Sequence, residues 1–180
     1  DGLNWSHVQI DDPEKDGDPV ARYSHEIVYD ESRGVVVLFS GFSLDGLDSH
    51  TWEYDGNSWD LVKLGDPEGD GNPLPRYSNA MVYDPVRATV LVFGGDVSGD
   101  EEDGTVWEYD GASWRRHLAS DPEGDGLPAQ LSGPGMAYDY YRDRIMLFGG
   151  GVLVAREDDV WELIWGEERY PGLVMHGAFS

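Results

Sequence analysis

The sequence predicts an all-β chain built as an arc of about three similar four-stranded units. A segment of about 54 residues recurs three times in one register. The apolar residues fall in short Val, Ile, Leu, Tyr, Phe and Trp runs bounded by Gly, Pro and Asp. No stretch carries the apolar period of an amphipathic helix of useful length.

Fixed points set the register. Asp12, Pro13 and Glu14 return as Asp66, Pro67 and Glu68 and as Asp121, Pro122 and Glu123. Without gaps, Tyr29-Asp30, Tyr83-Asp84 and Tyr138-Asp139 align, then Arg33, Arg87 and Arg142. Phe39-Ser40-Gly41, Phe93-Gly94-Gly95 and Phe148-Gly149-Gly150 follow, then Trp52-Glu53, Trp107-Glu108 and Trp161-Glu162.

Taken in chain order, residues 1–10 read as an orphan outer strand, because Asp1 to Trp5 repeats the turn that leads into the fourth strand elsewhere. Units then span 11–64, 65–119 and 120–168, and 169–180 reads as the start of a next unit or a tail. Within a unit the first strand is expected at 26–29 or 80–83, ending in a turn held by Asp30 and Arg33 or Asp84 and Arg87. The second strand, an unbroken apolar run at 35–39, 90–93 and 145–148, suits a strand covered on both faces. It ends on glycines, which permit positive φ and close backbone approach. The third strand is expected at 51–54, and Asp55-Gly56 turns tightly into the fourth at 59–62. No convincing fourth strand follows Leu163.

The order Arg22-Tyr23-Ser24-His25 through Tyr29-Asp30, then Val-Leu-Phe-x-Gly, then Trp52 to Trp59, resembles the kelch repeat of bacterial and galactose-oxidase-like type. That resemblance implies four-stranded kelch-type blades of a β-propeller. About three blades make an incomplete ring, since closed propellers have about four to eight. The arc is then a fragment of a longer propeller or a self-assembling piece. The third copy departs from the pattern, with Leu131 in place of the Arg and Leu163-Ile164-Trp165 in place of Tyr-Asp-Gly. The resemblance also implies an exported, non-catalytic binding role. The copper oxidases of the family need a cysteine-modified tyrosine, and the chain has no cysteine.

Acidic residues outnumber basic ones 36 to 12, for a formal charge of -24, and Lys15 and Lys63 are the only lysines. Such a field disfavours nucleic acid and anionic lipid and favours metal cations or basic proteins. A similar composition also suits high salt. Absence of cysteine excludes disulfides and thiolate sites. No run approaches the roughly 18 apolar residues of a membrane-spanning helix, so membrane insertion is not expected.

Strands that run up and down place the loops after strands two and four on one face. The fourth-to-first loops carry Asp12, Glu14 and Asp16, then Asp66, Glu68 and Asp70, then Asp121, Glu123 and Asp125. Carboxylates at alternating positions before a turn glycine resemble the first half of an oxygen-ligand calcium loop, making these nine residues candidate Ca2+ ligands. Position twelve is Tyr77, which excludes an EF-hand. Asp, Gly and Pro are equally the composition of a solvated turn. The second-to-third loops add Asp45, Asp48 and a candidate binding face of Asp96, Asp100, Glu101, Asp103, Glu157, Asp158 and Asp159.

Recurrent Trp52, Trp59, Trp107, Trp114 and Trp161 read as inter-unit core, and Asp30 with Arg33 as a turn lock. The histidines lack metal-ligand spacing, and no nucleophile elbow, phosphate loop or zinc motif occurs, so no catalytic residue is assigned. The favoured function is a non-catalytic module presenting an acidic loop face, with or without calcium, to a protein or glycan. Two others stay open: a structural unit pairing through open edges with further blades or a second copy, and a carbohydrate-active enzyme domain.

Overall fold

A computed structural model of the chain describes residues 3–97, 105–122, 124–151, 156–165 and 173–177. All elements among them are strands, organised around three four-stranded antiparallel meanders. The first sheet runs Glu26–Asp30, Val35–Phe39, Thr51–Tyr54, Trp59–Leu61. The second runs Ala80–Asp84, Thr89–Phe93, Thr105–Tyr109, Trp114–Ser120. The third runs Gly135–Asp139, Arg144–Phe148, Val160–Trp165, Leu173–Gly177, and its last strand pairs in parallel with Trp114–Ser120, so the second and third meanders share one eight-stranded ladder; each meander is called a sheet below.

Two findings differ from the sequence reading at its ends. Leu173–Gly177 pairs antiparallel with Val160–Trp165, so the third sheet has an outer strand inside the segment read as a tail or a next unit. It was not legible because the Asp-Gly turn that announces the other outer strands is missing. Residues 3–10, read as an orphan strand, have no strand pairing; a strand needs a hydrogen-bonded neighbour, and only Asp11, bridged to Ser58, finds one. Trp5 is fully exposed, at 102%.

The repeat extends to the backbone. The loop position occupied by Lys15, Gly69 and Gly124 is left-handed in all three copies, with φ of 60°, 73° and 75°. Parallel contacts recur just before each acidic loop: Asp11 with Ser58, Gly65 with Ser113, and Ala119 with Leu173. Backbone bonds between units recur too. Ser78 N–H donates to the Ser24 carbonyl at 2.9 Å, and Gly133 N–H donates to the Ser78 carbonyl at 2.7 Å.

The glycine pair that ends the second strand forms the tightest of these joints. Gly41 N–H donates to the Arg76 carbonyl and Gly95 N–H to the Leu131 carbonyl, at 2.9 and 2.7 Å. A Cβ on Gly94 would lie 2.4 Å from the Leu131 carbonyl oxygen, and its φ is +69°, so neither space nor conformation admits a side chain. The repeated Arg also serves this joint. Arg22 donates to the Ser40 carbonyl and fully buried Arg76 to the Gly94 carbonyl. In the third copy Leu131 fills the place with an apolar side chain that is 2% exposed.

Period-two alternation then sorts the core into two layers. Met81, Tyr83, Val90, Val92, Trp107, Tyr109 and Trp114 pack against Val37 and Phe39 of the first sheet. Val82, Leu91, Phe93 and Val106 face the other way, onto Leu131, Ile145, Leu147 and Leu163. The second sheet is thus covered on both faces, and its first two strands are buried at every residue. The outer sheets are covered on one face each: Ile27 and Tyr29 are 56% and 54% exposed, and Phe148 is 57% exposed.

Candidate functional site

The acidic loops are organised as clasps. Asp66 Oδ1 accepts the N–H groups of Asp70 and Gly71, and Asp121 accepts those of Gly124, Asp125 and Gly126. These are turns closed by a side-chain carboxylate. The third acid of the motif reaches out of the loop: Asp16 Oδ2 accepts Leu61 N–H at 2.9 Å, and Asp70 Oδ2 accepts Arg116 N–H at 2.8 Å. The first and second loops are thereby fastened to the edges of their own outer strands. Glu68 pairs with Arg115 of that same strand. Asp12 and Glu14 are exposed, and Glu123 lies outside the described residues.

These bonds close the second and third loops and fasten the first and second without an ion. Among the described residues no three acidic or histidine side chains sit close enough together to hold a metal. One loop nevertheless stands apart. Asp60 of the first unit occupies the place that Arg115 has in the second, so Glu14, Asp16 and Asp60 face one another without a cation. Desolvation, with the charges of Asp60 and Asp16, holds the Glu14 carboxyl above its ordinary pKa.

The second-to-third loops reach the same end of the sheets. Asp96-Val97 pairs with Arg76-Tyr77, and Phe42-Ser43 pairs with Arg22-Tyr23. Asp96 Oδ2 accepts the Ser132 hydroxyl at 2.6 Å, across the junction of the second and third units. Asp158 and Asp159 are exposed, Glu157 is half-buried, and Asp100, Glu101 and Asp103 lie outside the described residues. The predicted acids therefore divide into clasp acids along the outer strands and loop acids nearer the glycine joints.

Sequence reasoning missed a cleft of about 300 Å³ beside the first sheet, lined by Asp18, Arg22, Asp45, Asp48, His50 and Trp52 among others. Asp48 holds Arg22 at 2.9 Å and His50 at 2.8 Å. Trp52 is 6% exposed, and its indole N–H is buried with no hydrogen-bond partner among the described residues. No sequence signal marks the cleft, because Asp18 and Trp52 belong to different elements.

The remaining charged pairs are structural. Asp30 is fully buried; its Oδ1 accepts Ser32 and Arg33 N–H, and its Oδ2 accepts Arg33 Nε at 2.8 Å. Arg33 goes on to Glu53 and lies 5.2 Å over the Tyr109 ring of the second unit. His117 pairs with Glu108 across neighbouring strands. Burial pushes the Asp30 carboxyl up, but the hydrogen bonds from Ser32 and Arg33 outweigh it and leave the pKa below the usual carboxylate value. Asp121 is lowered by the backbone donors of its clasp, that of Gly126 foremost.

A folded-state pKa below the unfolded one contributes stability that is complete above the unfolded value, 3.8 for Asp, and is lost as pH falls through the folded value. Urea unfolding is therefore expected to show stability dropping below about pH 4. Asp30→Asn should be less stable near neutrality and should lose less on acidification. An equal acid loss in both proteins would refute the assignment.

No protein-family model matches the chain, and no curated protein is similar to it. What the site can do is read from its geometry.

Proposed function

We propose that the three sheets are consecutive kelch-type blades of an incomplete β-propeller and that the chain is a non-catalytic binding module. Its acidic loop end meets a cationic patch on a protein or an amino-bearing glycan. One observation carries this reading: seven of the ten arginines are engaged by groups of the chain itself. Arg22, Arg33, Arg87, Arg115, Arg142 and Arg144 are each paired with a carboxylate, and Arg76 is buried against carbonyl groups. The acidic surplus is left facing solvent, where it attracts cations over a Debye length of about 10 Å.

The test is binding of an arginine-rich peptide and of a chitosan oligosaccharide, against a neutral oligosaccharide. Affinity for a cationic probe is expected to fall about tenfold between low and physiological salt. It should fall again in the combined Asp96→Asn, Glu157→Gln, Asp158→Asn, Asp159→Asn variant. Failure to bind either cationic probe at low salt, or unchanged affinity in the variant, would overturn the reading.

A second reading is calcium loading beside Glu14, where Asp60 stands in the place of Arg115; the ion would have to draw Glu14, Asp16 and Asp60 together from positions that do not group closely enough to hold a metal as they stand. A hard cation supplies there the positive charge that Arg115 supplies in the second unit. Calorimetry with calcium against magnesium should show heat for the native chain and none for Asp60→Arg. That substitution should also raise the urea midpoint slightly, as an exposed ion pair replaces a like-charge contact. Equal calcium heats in both proteins would remove this site.

A further inference from the structure

We infer that the open face of the first sheet takes the open face of the third sheet of a second copy, two chains closing head to tail into a ring of six sheets. This rests on reading the sheets as consecutive blades and adds the partner that completes them. The two interfaces inside the chain show what each open face is built to meet. On the first sheet the open positions are Ile27, Tyr29, Tyr54 and Trp59. Their counterparts on the second sheet, Met81, Tyr83, Tyr109 and Trp114, are all buried against the first sheet. On the third sheet the open positions are Ala137, Met146 and Phe148, matching Val82, Leu91 and Phe93, which the third sheet covers.

Polar groups match as well as apolar ones. Tyr109 donates its hydroxyl to Glu53 at 2.7 Å and lies under the Arg33 guanidinium. Tyr54 is the counterpart of Tyr109, while Glu162 and Arg142 of the third unit are the counterparts of Glu53 and Arg33. Arg142 is 61% exposed. The backbone joint repeats in the same sense: Ser24 N–H would meet the Gly133 carbonyl, and Gly150 N–H the Arg22 carbonyl, as Ser78 and Gly95 do inside the chain. The buried, unpartnered indole N–H of Trp52 lies on this same open side. A face that self-pairs head to tail closes into a ring when the rotation fits, and two copies of these 180 residues bring six units together, within the range of about four to eight blades.

Sedimentation equilibrium on the whole chain is expected to give twice the 20.0 kDa monomer mass at high concentration, dissociating on dilution. Ile27→Asp and Phe148→Asp should each give a folded monomer. The chain has no cysteine, so Tyr54→Cys and Arg142→Cys provide a second measurement that does not depend on those variants folding. A short bis-maleimide should link the two when mixed and should link neither to itself. A folded native monomer at every concentration, or linking no greater in the mixture than in either protein alone, would overturn the proposal. The peptide-binding result would then still stand, because a monomer keeps its loop acids.

Discussion

Trp114→Ala is expected to remove about 3–5 kcal/mol of stability, the usual loss for a large buried aromatic. Trp114 has no solvent exposure and packs 5.0 Å from the rings of both Phe39 and Tyr109. Its indole N–H donates to the Thr51 hydroxyl at 2.9 Å, so truncation opens a cavity and leaves that hydroxyl without its donor. Phe39 and Thr51 belong to the first sheet and Trp114 to the second, so the loss is a loss of adhesion between units. Trp59 provides the control. It holds the same repeat position and stacks on Tyr54 at 5.2 Å, but it is only half-buried on the open face. Trp59→Ala should lose about 1–2 kcal/mol in the monomer. Urea unfolding at low protein concentration, with the slope checked for constancy, measures both. Equal losses at the two tryptophans would mean that the indoles stabilise their own sheets and not the joint. Trp114→Phe, which keeps most of the volume, should lie between the two if the full truncation fails to fold.

Asp84→Ala is the second large effect. The carboxylate is fully buried, accepts Val86 and Arg87 N–H on Oδ1, and pairs on Oδ2 with Arg87 at 2.7 Å and with the indole N–H of Trp165 at 3.0 Å. The Arg87 guanidinium lies 4.5 Å over the same Trp165 ring. Removing the acid leaves the half-buried Arg87 with Asp143 at 3.8 Å as its acid and strands three further donors; an unsatisfied buried donor costs about 1–3 kcal/mol, so a loss of about 3 kcal/mol is expected. Asp139→Ala tests the same turn where it is open: its partner Arg142 is mostly exposed, so the loss should be much smaller than at Asp84. A similar small loss at Asp84 would show that the turn, and not the contact with the third sheet, sets its value.

The contrast between these pairs explains what could be read in advance. Strand positions, the turn locks and the core places of Trp107, Trp114 and Trp161 follow from local rules, since apolar runs, Asp-Gly turns and recurrent spacing each act within a few residues; Trp52 and Trp59, expected in the same core, lie instead on the open side of the first sheet because no further unit covers it. The acidic loops were legible as a recurring motif but not as clasps, because the acceptor-to-donor step from Asp16 to Leu61 or from Asp70 to Arg116 spans 45 or 46 residues. The outer strand at Leu173–Gly177 escaped notice because it is specified by the neighbours it pairs with and not by a turn signal of its own.

By itself, then, the sequence determined the all-β character, the threefold repeat and the surplus of negative charge, since composition and periodicity are properties of the chain alone. Only the tertiary structure decided which carboxylates are occupied. It turned four of the nine repeated loop acids toward backbone donors, set Glu14 beside Asp60 and Asp16, and exposed one apolar face on each outer sheet. Those outcomes depend on which residues far apart in the chain come within hydrogen-bonding or van der Waals range, and no local pattern encodes that distance.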